Sequence, residues 1–175
     1  MEMTQKPWQL WSKEEFLQQF GGLYEHSAWI TEQAWEHQPF NNLQDMLNTM
    51  KNIVAESSQE TQLTLLRQHP DLGTKIEMSE HSQSEQAGAG LTGLSAEQFE
   101  QLAELNRNYT EQYQFPFILA VKGKSTDQIL ESMRQRTGRS ATEEFQTALG
   151  QVHTIAGLRL QMWAEERNLY RKQVE

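Results

Sequence analysis

Only one stretch of this chain has the composition of a β-strand, and a strand needs a partner. Phe115-Pro116-Phe117-Ile118-Leu119-Ala120-Val121 is apolar, with aromatic and β-branched residues close together. One strand cannot make a sheet, so this segment is expected to be extended and buried among helices. The fold that follows is all-α, a single domain of about eight helices over residues 1–175 with no substantial sheet. Residues 1–11 are expected to form a loosely ordered N-terminal arm.

The remaining sequence is punctuated by helix starts and stops. Ser12-Lys13-Glu14-Glu15 has capping-box spacing, with Phe16, Leu17 and Phe20 on the buried face and Gly21-Gly22 as the stop. A second helix is predicted from Ser27 to about Glu36, with Trp29, Ile30 and Ala34 inward. Asn42 caps a third, where Leu43, Met46, Leu47, Met50 and Val54 recur at helical spacing. A fourth carries Leu63, Leu65 and Leu66 into His69, and Pro70 ends it because the residue before proline is pushed out of the helical region. Ser82 with Glu85 again has capping-box spacing and would open a short helix before Gly88. Ser95 and Ser125 start two more, and the longest begins at Ser140 or Thr142 with Phe145, Leu149, Val152, Ile155, Ala156, Leu158 and Leu160 toward the core.

Composition excludes several classes. A net charge of -9 opposes non-specific nucleic-acid binding, which needs clustered cations to replace phosphate counterions. No apolar run approaches the roughly 18 residues of a membrane span, and the N-terminal residues have no signal-peptide pattern. With no cysteine there is no disulfide framework, thiolate nucleophile or thiolate metal site, so a cytoplasmic protein is expected. Lys and Arg against Asp and Glu give -6 over residues 1–60, -5 over 61–120 and +2 over 121–175. An anionic ligand would therefore find its cation in the last third, where Arg134, Arg136, Arg139 and Arg159 are candidates.

Chemistry-bearing residues gather between Arg67 and Gln86. His69 stands at a helix C-terminus, where an imidazolium suits the helix dipole, but Pro70 also fixes the chain beside it and Asp71 is near enough to orient it. Ser82 and Glu85 fit a capping box, and a helix N-terminus is also an anion site, so both readings stand. His81 and Glu85, with His69, have the residue types of a two-histidine, one-carboxylate metal site, although with Ser82 as N-cap His81 falls outside the helix. Arg159, flanked by apolar residues, needs a buried partner, either an internal carboxylate or one on a ligand.

In family terms, Phe20-Gly21-Gly22-Leu23-Tyr24-Glu25-His26-Ser27 with Trp29, Leu65-Leu66-Arg67 before His69-Pro70-Asp71-Leu72, Ser82 with Glu85-Gln86, Leu105-Asn106 with Tyr109, Phe115-Pro116-Phe117-Ile118 and Leu158-Arg159-Leu160 resemble the 2-oxo-4-hydroxy-4-carboxy-5-ureidoimidazoline (OHCU) decarboxylases of uric acid breakdown. The resemblance implies an all-α enzyme, often dimeric, that uses no metal or organic cofactor and makes (S)-allantoin from an anionic ureidoimidazoline. It implies His69 as catalytic acid/base with Glu85 and Arg159 beside it. It also implies substrate contacts from Pro70, Ser82, Gln83, Ser84 and Gln86 and from the backbone of Phe117, Ile118, Leu119, Ala120 and Val121. Where the family tends to have Arg-Leu-x-Asn this chain has Arg136-Thr137-Gly138-Arg139. Some members are fused to a transthyretin-like hydrolase that supplies the substrate; here a separate 5-hydroxyisourate hydrolase is expected, and the last residues carry no peroxisomal signal. The competing readings are a metal-dependent hydrolase using His69, His81 and Glu85, and a non-catalytic helical interaction module.

Overall fold

The computed structural model describes residues 6–73 and 78–167. Among these, eight α-helices run in order: α1 (Lys13–Phe20), α2 (Trp29–Trp35), α3 (Leu43–Glu56), α4 (Gln59–Arg67), α5 (Glu80–Gly88), α6 (Ala96–Tyr113), α7 (Thr126–Arg136) and α8 (Ala141–Glu166). No strand occurs among the described residues, and the Phe115–Val121 stretch is buried without helix or ladder, as its isolation requires. No helix among them is long and apolar enough to cross a membrane. The chain resolves into two compact units, one comprising the residues up to Ser58 together with those from His153 on, the other Gln59–Val152.

The first unit is an aromatic core wrapped by α1, α2, α3 and the second half of α8. Ser12 and Glu15 form the expected capping box, and α2 packs against both α1 and α3. Asn42 caps α3 by accepting the Asp45 N–H, and α3 buries Leu43, Met46, Leu47, Met50, Ile53 and Val54. Each such side chain removed from water contributes about 1.5–3 kcal/mol, which is why a helix of modest propensity is fixed here. Phe16 and Phe20 meet edge to face at 5.2 Å, and Trp163 of α8 lies against Phe20 at 4.8 Å. Trp29, expected inward, is only half-buried, because α2 starts at that residue and its buried face is set by Ile30, Thr31 and Ala34.

The N-terminal segment differs from expectation in its described part. Pro7–Leu10 forms a 3-10 helix whose Trp8 is 0% exposed, and Trp11 packs against Phe20 and Trp163. Burial of the Trp8 indole and the packing of half-buried Trp11 anchor residues that composition alone marks as an arm; residues 1–5 lie outside the described set.

In the second unit, α6 and α7 open on the capping boxes Ser95/Gln98 and Ser125/Gln128, and Ser140 with Glu143 makes the same reciprocal pair at the start of α8. Leu63 and Phe145, expected in the core, are half-buried, as is Leu158 in the part of α8 that belongs to the first unit.

Candidate active site

The last turn of α4 closes with the Gln68 and His69 N–H groups donating to Leu65 and Leu66 carbonyls, both at 3.2 Å, and Pro70 forbids a further turn. His69 is buried at this helix end. Asp71, two residues on, is half-buried, and burial raises its carboxyl above the ordinary range. The next two residues are tied down. Asn106 Nδ2 of α6 donates to the Leu72 carbonyl at 2.9 Å, and the Gly73 N–H donates to Gln86 Oε1 at 2.8 Å. Gly73 has φ +71, and a Cβ there would come within 2.3 Å of Leu102 Cδ2, so only glycine makes this turn. The segment carrying His69 is thus fastened to α5 and α6.

α5 begins three residues earlier than the Ser82–Glu85 spacing suggests. Ser79 is the N-cap, with extended backbone and an Oγ that accepts the Ser82 N–H at 3.2 Å. Ser82 is therefore the third helical residue, its amide is spent on the cap, and Ser82 with Glu85 is not a capping box. Two serines three apart offered the same local signal, and the structure uses the first. Ser82, Gln86 and Ala89 share the buried face, Glu85 is half-buried beside them, and His81, Gln83 and Ser84 are exposed. His81 lies inside the helix after all, yet among the described residues no group of three or more His, Asp or Glu could hold a metal ion. Gln86, expected on substrate, also links secondary structure: besides Gly73, its Nε2 lies 3.5 Å from Met78 Sδ. A groove of about 930 Å³ borders α5, lined by Gln83, Ser84, Gln86, Leu91, Leu94 and Phe99 among others, and neither His69 nor Glu85 lines it.

The extended segment belongs to the same unit. Its Ile118 carbonyl accepts from Arg136 Nη1 at 2.6 Å, and its Ala120 N–H donates to Gln151 Oε1 at 2.9 Å. Arg136, one of the cations considered for an anionic ligand, is taken up internally. It pairs with the fully buried Glu144, lies over the Phe117 ring at 4.3 Å, and shares Glu144 with Arg139 and the Tyr109 hydroxyl. Burial and the Glu144 contact push the Tyr109 phenol far up, so it stays a donor. Tyr113 accepts the Gly138 N–H at 3.0 Å and donates to the Arg136 and Arg139 carbonyls, which stabilises the Arg136–Arg139 junction. Arg134 is exposed, 3.8 Å from Glu131.

Arg159 lies in the other unit, and its buried partner is an internal carboxylate. Nη2 sits 3.0 Å from Glu25 Oε2, and Nη1 donates to the Gly22 carbonyl at 3.1 Å. Glu25 is buried and also lies 3.5 Å from His26 Nε2. Sequence reading names no partner for Arg159 and so misses Glu25. Its signal was an acid inside a glycine-initiated, non-helical run, Gly21-Gly22-Leu23-Tyr24-Glu25, where a solvated carboxylate would be expected. Nearby, the Tyr24 hydroxyl meets His153 Nδ1 at 2.8 Å, and burial with the Lys51 charge lowers that imidazole to about 4.

An all-α chain with a buried histidine at a proline-stopped helix end and a polar face on the following helix is the class defined so far. Residues 9–161 match the sequence model of the OHCU decarboxylase family, and the chain belongs to that family. It is 46% identical over 147 residues to the 2-oxo-4-hydroxy-4-carboxy-5-ureidoimidazoline decarboxylase of Haloferax volcanii, covering 84% of this chain and 88% of that one. It is 42% identical over 140 residues to the uric acid degradation bifunctional protein PucL of Bacillus subtilis, covering 80% of this chain and 28% of that protein. Among solved structures, (S)-allantoin synthase superposes with a TM-score of 0.72 at 31% identity, over 87% of this chain and 51% of that one. The match to the family takes in residues of both compact units.

Proposed function

We propose that this chain is a carboxy-lyase of uric acid degradation, converting OHCU to (S)-allantoin and CO2 without a cofactor. The observation that carries the reading is the family match over residues 9–161. His69, buried at the end of α4 in the same compact unit as Ser82, Glu85 and Gln86, supports it.

The substrate explains why no cofactor is required. Its carboxylate sits on a carbon that also carries a hydroxyl and adjoins a conjugated C=N bond. When the carbon–carboxylate bond breaks, CO2 leaves, the electron pair forms a C=C bond to the ureido-bearing carbon, and the former C=N nitrogen takes up a proton. The resulting enol loses its hydroxyl proton, and a proton is added to the carbon bearing the ureido group, which sets the handedness. The protein's task is placement, charge stabilisation and one directed proton transfer. His69 and Glu85 handle the protons in this proposal, with Pro70, Ser82, Gln83, Ser84, Gln86 and the Phe117–Val121 backbone contacting substrate. Arg159 is assigned to the developing negative charge on the family resemblance. The same resemblance underlies a homodimer, and composition a cytoplasmic location, which sizing of the purified protein and fractionation of the source cell would test.

Circular dichroism on freshly generated substrate, with and without the protein, is the direct test, because only stereospecific decarboxylation gives a rapid one-handed allantoin signal. His69→Ala is expected to lower turnover by about 100-fold or more, the scale of a general acid–base group. Near wild-type production of (S)-allantoin by that variant would remove His69 from the mechanism.

A further inference from the structure

We propose that Gln151 and Arg136 are positioning residues for the decarboxylation: they hold one edge of the Phe117–Val121 segment so that the Leu119 N–H and C=O are presented together to substrate. The inference rests on the decarboxylase reading and adds to it two side chains that need not touch the reacting molecule.

The backbone from Pro116 to Val121 has neither helix nor turn, so its polar groups have no ladder to satisfy them. In an extended chain the N–H and C=O of alternate residues share an edge, and those of the residue between point to the opposite one. Ile118 and Ala120 are such an alternate pair, and both are clamped: the Ile118 carbonyl by Arg136 Nη1 at 2.6 Å, the Ala120 N–H by Gln151 Oε1 at 2.9 Å. The Arg136 clamp is itself rigid. Its Nε donates to Glu144 Oε1 at 2.6 Å, Glu144 is fully buried, and the guanidinium covers the Phe117 ring. Leu119 lies between the two clamps. Its residue is buried, and among the described residues neither its N–H nor its C=O takes part in a hydrogen bond.

A buried backbone donor and acceptor left together are costly unless something completes them. A donor and an acceptor on one residue match the adjacent N–H and C=O of a cyclic urea or amide, and the proposed substrate carries such edges. The Gln151 and Arg136 side chains therefore determine which edge of the segment is used up inside the protein and which is left for recognition.

The test uses two variants of the full chain, with KM and kcat measured by the circular dichroism assay. Gln151 is half-buried on α8, where substitution leaves the helix itself intact. Gln151→Met keeps the length and loses the acceptor oxygen; it is expected to raise KM by about tenfold with kcat within about twofold, the scale of one hydrogen bond. Gln151→Glu keeps an acceptor oxygen and is expected to restore KM to within about threefold of the unaltered chain. An unchanged KM in Gln151→Met, equal impairment of the two variants, or a fall in kcat at constant KM would each overturn the positioning role. Absence of a one-handed product from the unaltered chain would instead overturn the decarboxylase reading, and is seen before any variant is made.

Discussion

Each compact unit buries one arginine against one glutamate, and the two pairs are built differently. Arg136 and Glu144 are 8 residues apart on consecutive helices, and Glu144 also receives Arg139 and the Tyr109 hydroxyl. Arg159 and Glu25 are 134 residues apart, and Glu25 also faces His26, whose side chain is 55% exposed. What they share is geometry. Each guanidinium spans a carboxylate and a backbone carbonyl of a non-helical stretch, Ile118 in one case and Gly22 in the other. A planar fork of donors holds both acceptors in one fixed geometry, which the single rotatable ammonium of a lysine does not. Both buried charges serve irregular backbone that no helix satisfies, and the Arg136–Glu144 pair, on which Arg139 and Tyr109 also converge, is expected to carry more of the stability.

Four substitutions would sharpen or break that contrast. The largest effect is expected from Glu144→Ala, which strands two arginines against a buried void. It should cost about 3–5 kcal/mol and lower Tm by roughly 6–20 °C in a chain of this size, read by thermal unfolding. A smaller loss than that of Glu25→Ala would reverse the assignment of the structural pair. Arg159→Lys keeps the charge and loses the fork; with a role in the reaction it should lower kcat/KM by about 100-fold, equivalent to about 2.7 kcal/mol, while shifting Tm by only a few degrees. Loss of stability without that loss of activity would make Arg159 as structural as Arg136.

The smallest effect concerns the neutral pair beside Glu25. His153 is held at about 4, below the ordinary 6.5, so the folded chain favours the uncharged ring. Its contribution is complete above pH 6.5 and is lost as the pH falls from 6.5 toward 4. His153→Gln, which still offers Tyr24 an acceptor, should show a flatter decline of stability over that window in denaturant titrations. Parallel declines in the two proteins would show that His153 is not the group responsible.

What could be read from sequence was what is encoded locally. The boxes at Ser12, Ser95 and Ser125 each need only four consecutive residues, and each formed as spaced. The same locality misplaced the start of α5, because Ser79 and Ser82 are both competent caps and spacing does not choose between them. The need of Arg159 for a partner followed from its apolar flanks, whereas Glu25 could not be named, since pairing across 134 positions leaves no local mark. Arg136 was read as a cation for an anionic ligand because charge bookkeeping does not distinguish an enclosed arginine from an available one. Leu158 failed by phase: on a 26-residue helix a buried stripe drifts, and the close approach to Leu47 falls at Gly157, where a Cβ would lie 3.2 Å from Leu47 Cδ2.

Shared ancestry and folding set different borders on this chain. The family match begins at residue 9 and ends at 161. Trp8 is nonetheless completely buried, and Trp163 packs on Phe20 and donates its indole N–H to Gln19 at 3.0 Å. A fragment trimmed to the matched residues would discard both indoles. At about 3–5 kcal/mol for each large aromatic removed from a core, that loss is comparable with the whole stability of an ordinary domain. Homology therefore delimits what is recognisable in this protein more narrowly than physics delimits what must be present for it to stand.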